Sequence, residues 1–166
     1  MHAFAAAVFL LGACSGTEDV PKQPRSVATA GVKPPPVVLG TTDGRVPGAL
    51  GTFCSSGDPR VTPSPESLIA SMCSDGVIDL ASAPLIEVPA GDVAFGAEWE
   101  WAPATVNLRI CEGRSGGCSH TVAKGSLSPP QEIAWSAQLT SGRYTIEGTV
   151  RWDGGEAYYA WRLRVR

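Results

Sequence analysis

A chain of 166 residues with 43% apolar side chains can bury one modest core, and its formal net charge of −3 includes no block of like charge. A duplex-binding surface leaves a strongly basic footprint, so nucleic acid is disfavoured as a partner. The cysteine count is five, an odd number that is awkward in an oxidising compartment unless one thiol is used separately.

The first segment supplies that use. Phe4 to Leu11 is an apolar run broken only by small residues, and Leu11-Gly12-Ala13-Cys14 follows at once. The run has the length of a signal-peptide core and is shorter than the roughly 20 apolar residues a membrane span needs. Small residues before the cut let a peptidase grip an extended backbone. Leu-Gly-Ala-Cys resembles the lipobox of bacterial lipoproteins, which implies removal of residues 1–13, lipid on Cys14 and a membrane-anchored place in the cell envelope. The basic residues usual ahead of such a run are absent from Met1 to Phe4. With Cys14 lipidated, Cys54, Cys73, Cys111 and Cys118 remain, an even set. Of their three connectivities the sequential one, Cys54–Cys73 and Cys111–Cys118, is favoured, because each pair closes a short loop containing turn-forming residues. Neither pair has the spacing of a redox motif or a zinc knuckle.

Residues 14–50 read as a lipid-anchored flexible linker. Six prolines from Pro21 to Pro47 are interspersed with Gly, Ser and Thr, and Val37-Val38-Leu39 is the one short apolar run. Such a composition buries too little surface to offset its conformational entropy. Residues 51–83 read as a disulfide-bounded preamble. There Ser64-Pro65-Glu66 has the features of a helix start, and Leu68, Ile69 and Met72 give the spacing of one buried helical face. Asp75-Gly76 would end the helix.

From Pro84 the period changes to two, the signature of half-buried strands. Ile86 and Val88 face inward before a turn at Pro89 to Asp92. Val93, Phe95, Ala97, Trp99 and Trp101 form one row, and Val106, Leu108 and Ile110 the next, with Cys111 outward. Ser115-Gly116-Gly117 marks a turn, so Cys118 lies on the returning arm, which Thr121 to Ala123 continue, and Ile133, Trp135 and Ala137 alternate again. Asp153-Gly154 is a two-residue turn suited to strand twist. It sets Trp152 opposite Gly155, Val150 opposite Ala157, Gly148 opposite Tyr159 and Ile146 opposite Trp161, with Gly148 leaving room for the Tyr159 ring. This register keeps Arg162, Arg164 and Arg166 outside, and a one-residue slip would bury them. About seven short strands at these intervals predict a mainly β fold, an antiparallel Ig-like β-sandwich over residues 84–166. Leu139, Gly142 and Tyr144 suggest a tyrosine corner.

Gly51-Thr52-Phe53-Cys54, Cys73 followed by Asp75, and the ending Gly142-Arg143-Tyr144, Trp152, Tyr159-Ala160-Trp161 and Val165 resemble a group of small, functionally uncharacterised bacterial exported lipoproteins. Those join a Gly-x-[Phe/Tyr]-Cys…Cys-x-Asp region to a C-terminal Ig-like sandwich. The resemblance covers roughly residues 51–166 and implies fold and address, with no activity. An aromatic often follows the first cysteine in that group, where this chain has Ser55, and the Cys111–Cys118 pair is an addition.

Catalytic constellations are sparse. His120 is the one histidine beyond the signal segment, and no nucleophile elbow accompanies it. Cys111, Cys118 and His120 have the types of metal ligands, but disulfide formation explains the cysteines better, so no metal and no cofactor is expected. The aspartates mostly sit beside Gly or Pro, which is turn chemistry rather than a calcium loop. Glu98 and Glu100 share a parity as paired glycosidase acids might, although solvation explains exposed acids. The tryptophans fall on core faces. Tyr158 is the outward ring, opposite Thr149 and near Glu147 and Arg162. Arg162 and Arg164 alternate along the last strand with Arg151 on its partner, either as protection of a terminal edge or as contacts for anionic lipid or wall polymer. Tyr158, Arg151, Arg162 and Arg164 are the candidate ligand contacts. The expectation is a non-catalytic, monomeric binding or structural module of the cell envelope with a protein partner. The alternatives are binding of carbohydrate or cell-wall polymer, and a hydrolase using His120.

Overall fold

A computed structural model describes residues 32–58, 71–112, 118, 120–129 and 135–166. The signal segment, Cys14 and the start of the linker lie outside the described residues. So do the proposed helix start at Ser64 and Ile133. No helix occurs among the described residues, and none therefore is long and apolar enough to cross a membrane.

The fold is mainly β, with eleven strands among the described residues, seven of them in 84–166, where about seven were expected. In chain order they are β1 Val38–Thr41, β2 Gly44–Pro47, β3 Ala49–Ser55, β4 Met72–Ser74, β5 Leu85–Val88 and β6 Gly91–Glu98, then β7 Thr105–Glu112, β8 His120–Leu127, β9 Trp135–Leu139, β10 Gly142–Trp152 and β11 Gly155–Val165. A four-stranded sheet runs β2-β1-β6-β9. A seven-stranded sheet runs β4-β3-β11-β10-β7-β8, with β5 also pairing to β11. All pairings are antiparallel except β5 with β11, which is parallel. Side chains from both sheets form one apolar core, including Leu39, Val93 and Phe95 from the smaller sheet and Val106, Ile110, Ile146, Val150 and Leu163 from the larger.

The last hairpin has the register that parity demands. Trp152 pairs with Gly155, Val150 with Ala157, Gly148 with Tyr159 and Ile146 with Trp161 across Asp153-Gly154. The space left by Gly148 is filled differently from expectation. A Cβ there would meet Trp161 Cζ3 at 3.0 Å, so the diagonal indole occupies it. The tyrosine corner is present: the Tyr144 hydroxyl donates to the Thr140 carbonyl at 2.9 Å.

Two expectations are corrected. Residues 38–50, read as linker, form β1, β2 and the start of β3, and Val37 and Leu39 are fully buried. The physical reason lies in the core aromatics, whose N–H and O–H groups need acceptors once buried. Trp99 Nε1 donates to the Pro35 carbonyl at 3.1 Å, and the Tyr159 hydroxyl donates to the same oxygen. Trp161 Nε1 donates to the Val46 carbonyl at 3.0 Å. Pro47 is accommodated at the end of β2, an edge strand, where a missing N–H costs no ladder bond. The second correction concerns the preamble. Met72, assigned to a helix face, belongs to β4, and β3 and β4 are built into the seven-stranded sheet.

Both sequential disulfides are formed. Cys54 and Cys73 are direct partners across β3 and β4, and Cys111 joins Cys118. Cys111 lies on the outward face as parity requires, yet is only 1% exposed. A register irregularity separates Ile110 and Cys111 in the β7–β8 pairing. Trp99 and Trp101 lie beyond the end of β6 rather than on it, and pack with Trp152 as an aromatic cluster with centroid separations of 4.9 to 5.9 Å.

Candidate functional site

The outward face of the seven-stranded sheet carries its polar chemistry. Cross-strand partners on β10 and β11 form rows there: Arg143 with Arg164, Thr145 with Arg162, Glu147 with Ala160, Thr149 with Tyr158 and Arg151 with Glu156. β7 extends four of these rows with Cys111, Arg109, Asn107 and Thr105, and β8 adds Lys124 beside Arg109 and Ser126 beside Asn107. Part of the face is out of water, since Thr145, Glu147 and Ala160 are all buried. The segment after β4 helps to cover it. The Gly76 carbonyl accepts a hydrogen bond from Thr52 Oγ1 at 3.3 Å, and Ile78 packs close to Gly51 and the Tyr158 ring.

A cleft of about 380 Å³ opens on this face, lined by Asn107, Arg109, Lys124, Glu147, Thr149 and Tyr158 among others. Glu147 is its anchor. The Arg109 guanidinium forms hydrogen bonds to Glu147 Oε2 through Nε, at 3.0 Å, and through Nη2. Pairing of this kind is what allows a carboxylate to remain out of water. The Tyr158 phenol stands beside the Glu147 carboxylate, and burial followed by that negative charge pushes the phenol up to about 12. Tyr158 is thus half-buried and tied down, in contrast to the freely exposed ring expected from parity. Its seat comes from an irregularity in β3. Between the pairs Ala157–Phe53 and Tyr159–Leu50, β11 has one residue and β3 has two. A Cβ on Gly51, one of those two, would approach Tyr158 Cδ1 to 2.9 Å, so the ring lies directly on bare backbone.

The arginines of β11 do not guard an edge. β11 runs inside the sheet, flanked by β10 on one side and by β3 and β5 on the other. Arg162 Nε donates to the Ala83 carbonyl at 2.6 Å. Arg164 and Arg166 grip the two oxygens of Glu87 on β5 at 2.7 and 2.6 Å. That contact, foremost the Arg166 hydrogen bond, holds the Glu87 carboxyl below its ordinary range. The three side chains therefore help to dock β5 along the second half of β11. Arg151 forms a cross-strand ion pair with Glu156 at 3.0 Å, both groups being well exposed, a type of pair that contributes little to stability. Of the four candidate contacts, Tyr158 lines the cleft described above, Arg162 and Arg164 line a separate groove, and Arg151 lines neither.

Arg109, Lys124 and the buried Glu147 were not singled out from the sequence. Strand alternation does not reveal what covers an outward face.

The other chemical candidates are not brought together. His120 is exposed at the first residue of β8, opposite Glu112. β6 ends at Glu98, so Glu100 does not share a strand face with it, and Glu98 pairs with Arg45 at 2.8 Å. The sulfurs of Cys111 and Cys118 lie within 4.8 Å of a Glu147 oxygen. They are bonded to each other and so are not the free thiolates that zinc requires.

No protein-family model matches the chain, and no curated protein matches it significantly.

Proposed function

We propose that the chain is a cell-envelope lipoprotein, anchored through lipid on Cys14, whose folded part is a monomeric, non-catalytic binding module with a protein partner. The observation that carries the binding role is the cleft over Glu147 on β10, lined also by Tyr158 from β11, Arg109 from β7 and Lys124 from β8 of one broad sheet. Tyrosine and arginine are the residue types enriched where protein interfaces concentrate their energy. A site held by strands and by an ion pair to a buried carboxylate also has little ordering left to do on binding. Export is supported by the paired cysteines, because disulfides persist in oxidising compartments. An Ig-like sandwich is our reading of the two sheets, and the tyrosine corner at Tyr144 favours it.

Binding of carbohydrate or wall polymer is the second reading. An aromatic ring beside Asn107, Thr149 and Lys124 offers stacking together with hydrogen bonds in one cleft. One experiment separates the two. The full chain and its Tyr158→Ala and Lys124→Glu variants are crosslinked in native membranes and, in parallel, tested for retention on purified cell wall. A defined crosslinked partner that both substitutions remove is the expected result. Wall retention lost on the same substitutions would transfer the site to a polymer. Crosslinks and retention indifferent to both substitutions would end the assignment of function to this cleft.

A further inference from the structure

A second depression on the outward face, about 450 Å³ in volume, lies at the opposite end of the β10–β11 ladder from Arg151. Arg143, Arg162 and Arg164 line it together with the apolar Leu80, Ala81 and Leu85. Arg143 and Arg164 are direct cross-strand partners, which puts their Cβ atoms about 4.5–5.5 Å apart, and Arg162 is the diagonal neighbour of Arg143 at about 7–8 Å. Like charges directly opposite one another destabilise a ladder, so this placement carries a cost that the sheet itself does not recover. Glu87 offsets part of it by binding Arg164 and Arg166. Asp79, nearby in the chain, has its Oδ1 engaged by the Ala81 N–H at 3.0 Å. Arg143 is exposed, and no carboxylate among the described residues pairs with it.

We propose that this groove binds a phosphate group. Two of its guanidiniums are already oriented by the protein, Arg162 through Nε to the Ala83 carbonyl and Arg164 through Nη1 to Glu87. Their remaining N–H groups, with the whole fork of Arg143, present more donors to one groove than the two oxygens of a carboxylate can accept. A phosphate offers more oxygens spread over a tetrahedron, and arginine forks match them in pairs. The apolar wall of Leu80 and Leu85 weakens solvent screening and so strengthens these contacts. Arg162 and Arg164 came forward from the sequence as candidate ligand contacts. Arg143, which completes the set, did not, because its significance arises only from standing opposite Arg164.

The test uses the full chain with both disulfides intact, titrated with inorganic phosphate and followed through the arginine Nε–H resonances. In a second arm it is sedimented with vesicles of phosphatidylglycerol in phosphatidylcholine, with phosphatidylcholine alone as control. Arg143→Gln should weaken binding about tenfold, as loss of a charge-assisted contact does. Arg151→Gln, on the same face but outside the groove, should leave binding unchanged. Vesicle binding that needs phosphatidylglycerol and Arg143 identifies a lipid headgroup as the source of the phosphate, whereas saturable binding of inorganic phosphate alone identifies a soluble one. The proposal is overturned if neither probe binds saturably, or if Arg151→Gln weakens binding as much as Arg143→Gln does.

Discussion

At Tyr158 a phenol proton is held against a carboxylate that is itself nearly out of water. Burial and that neighbour push the phenol up to about 12. The neutral phenol is the favoured form, so its contribution to stability is complete below the ordinary phenol value of about 10. That contribution is lost as the pH rises from there through the folded value. The difference in phenolate absorbance between the parent chain and Tyr158→Phe should therefore titrate near 12. In Glu147→Gln the midpoint should fall while staying above the ordinary value, since burial is the larger cause. A midpoint unmoved by Glu147→Gln would refute the coupling. Alternation alone located Tyr158 on the outward face and opposite Thr149. It could not show that the ring rests on Gly51 beside Ile78, because that seat depends on an extra residue in β3 and on a segment folding across the sheet.

Among the elements, the β10–β11 hairpin was legible residue by residue. Two long strands with one buried face and a two-residue turn leave a single register that keeps the arginines in water. β1 and β2 were hidden by their own composition, in which Pro and Gly mask a short apolar run. Their place in the fold is fixed by distant partners, the indoles of Trp99 and Trp161 that use the Pro35 and Val46 carbonyls. Leu39 shows the difference in kind between a tether and a strand. As a fully buried residue it should lose about 2–5 kcal/mol of stability on Leu39→Ala, measured by denaturant unfolding. A residue on a free linker would change stability by no more than about 0.5 kcal/mol. A shift confined to that smaller range would remove β1 from the folded unit.

For the molecule as a whole, the sequence conveyed a mainly β chain with two sequential disulfides, and left its strand order closed. β5 pairs in parallel with β11 some 77 residues away, as Arg164 and Glu87 illustrate, and no local pattern announces such a partner. Disulfides were easier to read because short loops limit the choices. Those two bonds leave Cys14 as the one cysteine outside a disulfide, and lipid on it is the fate we propose. Mass spectrometry of the native protein, intact and after non-reducing digestion, tests this most directly. The account predicts a mature N-terminus at an acylated Cys14, with Cys54 linked to Cys73 and Cys111 to Cys118. A chain that retains Met1 and carries five free thiols would contradict it.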